Sequence, residues 1–495
     1  MLRAVAGRAP SVVVIVGETL GYLSWAVIRK FPLSRVVAIA LSPELRKLIS
    51  APESVEVLFA DHDGLERTIL RSIPESDFDR IVVVSWEASV RVWQKAATAV
   101  FRDIEASVRI ATGGIATTAS FGRRWISNLV RNVTELERSR GFSHTIRPVI
   151  AAASGPSLDD HLNAIRSVRR MVDIWALPSS IQALNRASIQ PDVVVTTDPG
   201  FYASLHYRGI RDSGVTTIAA PLTAYPGFLG LSPQVIIIDQ DSIIEQELFA
   251  RLTVDRHRVP MNGSVAGSLF EMVDSLRAPL IFAGLDLAVA REGEHAHPHP
   301  FDSLYRSVAR RVSPFDSAIF GRCVEIYPDR LASGLRTNTP LKTYAGWFSR
   351  NAGRRRLAAY RLGSSAVEID GMIPVTSKNL HQLCASFPSE YGHIEQRAER
   401  VSRTVRIAEI DRVLIGWIGG LRNLRDRPIR TKAAGEELLA TTPGALLPLV
   451  ASRTIIRTRK AMFSGDFDGH ADGFRSAIEE GIDFLSSLLN RVAAS

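Results

Sequence analysis

The chain is poor in cysteine, in lysine and in long uncharged runs. Its two cysteines, Cys323 and Cys384, in 495 residues form no spaced pair. That excludes a disulfide-stapled scaffold and a zinc ribbon and fits a reducing cytoplasm, the expected location. The most apolar early stretch, Val12 to Ile28, is broken by Gly17, Glu18 and Gly21, and nothing else approaches the roughly 20 uncharged residues of a bilayer span. No membrane span is expected. The short basic start before it reads as the approach to a strand rather than as a secretory signal. Only seven of the 60 basic residues are lysine, so arginine carries the net charge of +9. Guanidinium forks suit phosphate and carboxylate. They are spread over the whole chain, however, with no basic stripe interleaved with aromatics, so nucleic acid is not an expected partner.

What is present is ample apolar material, 46% of residues, in a chain longer than the roughly 250 to 300 residues that one core usually serves. Three segments are expected: 1–140, 141–380 and 381–495. In the first, Val12 to Val16, Arg35 to Leu41, Val55 to Phe59 and Arg80 to Ser85 read as strands alternating with helices such as Tyr22 to Arg29. This is the pattern of a small doubly wound α/β unit, Rossmann-like in outline. Its first turn, Gly17-Glu-Thr-Leu-Gly21, lacks the third glycine, and the second strand ends Ala40-Leu41-Ser42 without the acid that would hold a ribose. A structural or docking role is expected there rather than nucleotide binding.

The second segment carries the best-defined motifs. A strand through Ala153 runs into Ser154-Gly155-Pro156-Ser157-Leu158, with Ser157 as N-cap and Asp160 three residues on in the manner of a capping box. Free backbone N–H groups and a helix N-terminus at a sheet's carboxyl edge invite a phosphate. Gln190 to Pro199 reads as a strand ending in Asp198, and open parallel sheets bind ligands at such tips. Asn262-Gly263-Ser264 opens a second helix, Leu280 to Gly284 is a strand leading to Asp286, and His295, His297 and His299 follow in a loop. Without a carboxylate or cysteine at ligand spacing, a zinc site is not expected.

The third segment is expected to be helical. Ile394, Ala398, Val401, Val405, Ala408 and Ile415 form one stripe, with Glu395, Arg397, Glu399, Arg400, Arg403 and Arg406 opposite; Phe474, Ile478, Gly481, Leu485 and Leu488 form another.

Taken in order, Gly155-Pro156-Ser157-Leu158, Pro191-Asp192 with Asp198-Pro199, Gly263-Ser264-Val265-Ala266, Gly284-Leu285-Asp286-Leu287-Ala288 and His295-Ala296 resemble the motility-associated factor (Maf) family. The resemblance covers about residues 10 to 380, up to Ala366 to Gly371. It implies a Rossmann-like N-terminal domain, a central Rossmann-like domain similar to an archaeal pterin diphosphokinase (MptE-like) and to bacterial sialyltransferases, and an α-helical C-terminal domain. The implied activity is transfer of a nonulosonic acid of pseudaminic or legionaminic type from a CMP-activated donor to Ser or Thr of flagellin.

On that reading Gly155 to Leu158 would meet the donor phosphate, Gly263 and Ser264 the ribose or base, and Asp198 the hydroxyls. Asp286 and His295 are the candidate catalytic residues, His295 as base because a neutral imidazole accepts a proton near pH 7. The resemblance implies no cofactor beyond an optional Mg2+. The alternatives are a diphosphate-transferring kinase on a pterin-like alcohol, with Asp198 and Asp286 holding Mg2+, and a non-catalytic flagellin-binding assembly factor.

Overall fold

The computed structural model describes residues 10–60, 64–136, 142–289, 293, 295–315, 317, 325–326, 336–363, 367–396, 401–429, 431–463 and 467–494. Cys323 and residues 364–366 lie outside the described residues. The chain divides into two compact units, residues 1–123 with 417–487 and residues 124–416 with 488–495. Among the described residues no helix is long and apolar enough to cross a membrane.

In the first unit β1 (Val12–Val16), β2 (Arg35–Ala40), β3 (Val55–Phe59) and β4 (Ile81–Ser85) form a parallel sheet in the order β3-β2-β1-β4. Every residue of β1 is buried. A strand covered on both faces reads as an unbroken Val/Ile run, which is why the sequence located it. Four helices accompany the sheet: α1 (Tyr22–Lys30), α2 (Leu65–Ser72), α3 (Glu87–Val92) and the 42-residue α4 (Gln94–Glu135), whose Ala97, Val100 and Ile104 enter the core beside Val12, Val14 and Ile69. The turn after β1 is closed from within. The buried Glu18 carboxylate accepts from the N–H groups of Thr19 (2.9 Å), Gly21 (3.1 Å) and Ser24 (2.8 Å) and from the Ser24 hydroxyl (2.6 Å). Donors that a phosphate would need at this turn are thereby occupied by a side chain.

The C-terminal helices are only partly as expected. In the helix Phe467–Ala493 the stripe Phe474, Ile478, Gly481, Leu485 and Leu488 is buried throughout. The other stripe is corrected. Ile394 belongs to a strand, Ala398 lies outside the described residues, and in the helix Arg403–Arg425 Val405 and Ile415 are exposed. Its buried face runs through Arg406, Ile410, Val413, Leu414 and Trp417. Arg406, expected on the polar face, donates from Nε to Val133 O (2.9 Å) and from Nη2 to Thr134 O (3.3 Å). A guanidinium meeting the last carbonyls of α4 satisfies acceptors that the helix cannot.

The second unit is built on a nine-stranded sheet in the order β11-β10-β9-β8-β7-β6-β12-β15-β16, parallel at every pairing. Antiparallel ribbons β5/β17 and β13/β14 lie outside it. The strands are β5 (Phe142–Thr145), β6 (Val149–Ala152), β7 (Asp173–Ala176), β8 (Val193–Val195), β9 (Thr217–Pro221), β10 (Gln234–Asp239), β11 (Arg256–Arg258), β12 (Leu280–Ala283), β13 (Glu325–Ile326), β14 (Arg336–Thr337), β15 (Ala359–Leu362), β16 (Met372–Val375) and β17 (His393–Gln396). Helices α5 (Leu158–Ser167), α6 (Ile181–Arg186), α7 (Ala203–Asp212), α8 (Ile243–Phe249), α9 (Val265–Ser275) and α10 (Asp302–Val308) fall between β6 and β13. Trp175, Phe270, Phe282 and Phe348 are fully buried in its core. From β6 the chain advances strand by strand to β11, then returns so that β12 pairs with the other side of β6. That reversal is a topological switch point, where crevices form at the carboxyl ends of parallel strands.

At the opposite, amino end of the sheet, Asp173 accepts from His144 Nε2 (3.1 Å), Arg147 Nε (2.8 Å) and the Arg147 N–H (3.0 Å). The hydrogen bond to Asp173 raises His144 above its ordinary 6.5 against the opposing effect of burial. Burial alone would raise Asp173, but the bonds from His144 and Arg147 hold it below 3.8. The His144 contribution to stability is complete below 6.5 and is lost as pH rises through its raised value; the Asp173 contribution is complete above 3.8 and is lost as pH falls through its lowered value. Between pH 6.5 and 8 the denaturation midpoint should fall more steeply in the wild type than in His144→Phe. Equal slopes would show that the pair is not coupled to folding.

Candidate active site at the strand crossover

The motifs at the ends of β6 and β12 meet at the switch point. Asp286, 4% exposed, accepts from the Ser157 N–H at Oδ2 (2.8 Å) and from the Ser157 hydroxyl at Oδ1 (2.5 Å). A charged acceptor with two donors from one residue is a strong, oriented contact. Two glycines permit it. A Cβ on Gly155 would lie 2.5 Å from both Asp286 Oδ2 and Gly284 O, and one on Gly284, at φ 72°, would lie 2.6 Å from Ala153 O.

The expectation of free amides at this turn is corrected. Gly155 N–H donates to Gly284 O (2.7 Å), Leu158 N–H to Gly155 O (3.0 Å) and Ser157 N–H to Asp286, while Pro156 has none to give. Ser157 is not a side-chain cap either, since its hydroxyl leaves α5 for Asp286. Leu158 is fully buried.

The histidine loop is tied to the same turn. Ala296 N–H donates to Ser154 O (2.8 Å), the Ser154 hydroxyl lies 3.3 Å from His295 Nδ1, and His297 N–H donates to Asp159 Oδ2 (2.9 Å). His295 stacks on His299 with centroids 4.1 Å apart, and His299 in turn stacks on Phe301 at 5.5 Å. Burial first, then the neighbouring histidines, holds His299 down to about 2. It is therefore neutral, and because Phe301 N–H donates to Nδ1 (3.3 Å) its hydrogen sits on Nε2. Beside this stack, His206 of α7 is held down to about 4 by burial and by His295.

Asp198 is not the end of a strand as expected. β8 stops at Val195, and Asp198 lies in the following turn, where Oδ1 accepts from Gly200 N–H (2.7 Å). Burial pushes this carboxyl up, opposed by the Gly200 bond and by Arg124. Gly263, at φ 83°, precedes Ser264, which caps α9 by accepting from Gly267 N–H (2.9 Å). The contacts above join Gly155, Ser157, Asp286 and His295 into one cluster.

Several residues were not anticipated. Asn128 Nδ2 donates to Pro199 O (3.1 Å) and Thr223 O (3.0 Å), and Asn132 Nδ2 to Leu222 O (2.8 Å) and Ala224 O (2.9 Å). One turn apart on α4, they hold the loops after β8 and β9. Arg361 of β15 is a buried guanidinium facing the charges of Asp286 and Glu368, and His161 of α5 bonds Ser377 Oγ through Nδ1 (2.8 Å). Two amides four apart on a helix were a readable signal; Arg361 and His161 had none.

Gly155→Ala should cost about 1 to 3 kcal/mol, because neither oxygen it meets can move far. Ser157→Ala and Asp286→Asn should each lower the denaturation midpoint, and the double variant should lose less than their sum. Strictly additive losses would separate the two residues.

Residues 123–292 match a family model described as 6-hydroxymethylpterin diphosphokinase MptE-like. An "Uncharacterized protein" of Treponema pallidum (strain Nichols) is 28% identical over 288 residues, 58% of this chain and 60% of the relative. The chain thus spans about 60% of the length of that curated relative. The structure of a Maf glycosyltransferase from Magnetospirillum magneticum AMB-1 superposes with a TM-score of 0.62 at 14% identity, covering 98% of this chain and 80% of that one. Residues 123–292 are therefore similar to the MptE-like domains, in a chain whose fold is similar to that of this Maf glycosyltransferase.

Proposed function

We propose that the protein is a glycosyltransferase that moves a nonulosonic acid, of pseudaminic or legionaminic type, from a CMP-activated donor to Ser or Thr hydroxyls of flagellin in the cytoplasm. The observation that supports this most is the joined cluster at the switch point, in a chain with this fold. In the transfer the acceptor oxygen attacks the anomeric carbon while the bond from that carbon to the phosphate oxygen breaks. CMP leaves with the bonding electrons on an oxygen that is already part of an anion, so the leaving group needs no proton. The acceptor proton must go to a base, and His295, oriented by Ser154 and stacked on a neutral ring, is assigned that role.

Asp286 acts by fixing Ser157 and, through the turn, the Ser154 hydroxyl that faces His295. Asp198 takes sugar hydroxyls, and the α9 terminus at Gly263 and Ser264 takes the ribose or base. The family model's own description favours a second reading, diphosphate transfer from ATP to a pterin-like alcohol with Asp198 and Asp286 on Mg2+. That reading asks Asp286 to give up one or both of its bonds to Ser157.

Purified protein incubated with unmodified flagellin and CMP-pseudaminate or CMP-legionaminate should increase the mass of flagellin, with or without EDTA. His295→Ala and Asp198→Asn should each slow the transfer by about 100-fold. No mass increase, together with ATP-dependent diphosphorylation of 6-hydroxymethylpterin, would reverse the order of the two readings.

A further inference from the structure

Phe201 and Tyr202, 65% and 57% exposed, precede α7 on the turn that carries Asp198. Leaving two large aromatic rings more than half in water forgoes much of the gain of burying them. The turn that presents them is held from several sides. Asn128 holds Pro199 O, Tyr225 N–H donates to Asp198 O (2.9 Å), and Gly200 N–H donates to Asp198 Oδ1 (2.7 Å). Edge contacts fix the rings themselves: Phe201 meets Tyr225 at 6.0 Å and Tyr202 at 5.9 Å, and Tyr202 leans on Phe301 at 6.1 Å. Phe301 is the third ring of the stack that begins at His295, so Tyr202 stands three ring contacts from the base assigned above.

We propose that Phe201, Tyr202 and Asp198 form a carbohydrate subsite, which takes the polyhydroxylated, N-acylated end of the transferred sugar while its carboxylate end lies toward Ser154 and His295. This rests on the glycosyltransferase reading. A carboxylate on the same turn as two exposed aromatic rings offers acceptors and an apolar surface. A sugar answers with O–H and amide N–H donors around a C–H face. A cytosine edge, with two acceptors beside one amino group, answers it poorly.

Calorimetry on the full chain with CMP, CMP-N-acetylneuraminate and CMP-pseudaminate tests this. At least one sugar conjugate should bind about tenfold tighter than CMP, a gain of about 1.4 kcal/mol. Tyr202→Ala should abolish that gain and Tyr202→Phe should keep it, with the affinity for CMP itself unchanged to within about twofold in both. The proposal is overturned if the wild type shows no gain, if the gain survives in the Phe201→Ala/Tyr202→Ala double variant, or if CMP binding falls with it, which would mark a nucleobase platform. Should CMP not bind at all, the glycosyltransferase reading fails on its own. The subsite is then read by saturation-transfer NMR with free N-acetylneuraminate, where a wild-type signal lost in Tyr202→Ala supports it and no wild-type signal overturns it.

Discussion

The contact between Asp286 and Ser157 fixes the carboxyl ends of β6 and β12 to one another, and the site is arranged around it. These strands come from distant parts of the chain and pair only because the sheet reverses direction between them. Parallel pairing aligns their backbones, but the residues beyond the last ladder bond are free to diverge. Two donors from one residue onto two oxygens of another remove that freedom, and the glycines at 155 and 284 are the condition for it, since a methyl group at either would meet oxygen at 2.5 to 2.6 Å. Once the turn is fixed, Ser154 presents its carbonyl to Ala296 and its hydroxyl to His295. The histidine loop is therefore positioned in part by the turn that Asp286 fixes.

A second set of contacts orders the rim. Asn128 and Asn132 satisfy four carbonyls of the loops after β8 and β9. Loops at a strand's end have few backbone partners of their own, so side-chain amides from a helix take the place of a ladder. The rim aromatics rest on that support. The stack of His295, His299, Phe301 and Tyr305, with centroids 4.1, 5.5 and 5.8 Å apart, starts at the clamp and meets the exposed Tyr202 at Phe301.

The sheets were legible in the sequence because parallel strands covered on both faces must be apolar throughout. β1, β2, β6 and β12 were read within a residue or two for that reason. The 42-residue α4 was not, because Gly113-Gly114 and Thr117-Thr118 in its middle have the look of a connection. The helix at Arg403–Arg425 was placed on the wrong face: periodicity treats arginine as solvated, whereas Arg406 is buried against the carbonyls of another helix. At the candidate site, residue order singled out Gly155, Ser157, Asp286 and His295, which hydrogen bonds bring together, but not the direction of those bonds. A glycine turn before a helix has the same sequence whether its amides await an anion or are already satisfied by the chain.

The first unit shows the satisfied case in full. Glu18 is tethered a few bonds from the amides it neutralises, so its effective concentration there is set by covalent geometry and not by metabolism. That corner of the small sheet is completed by a carboxylate that the chain itself carries.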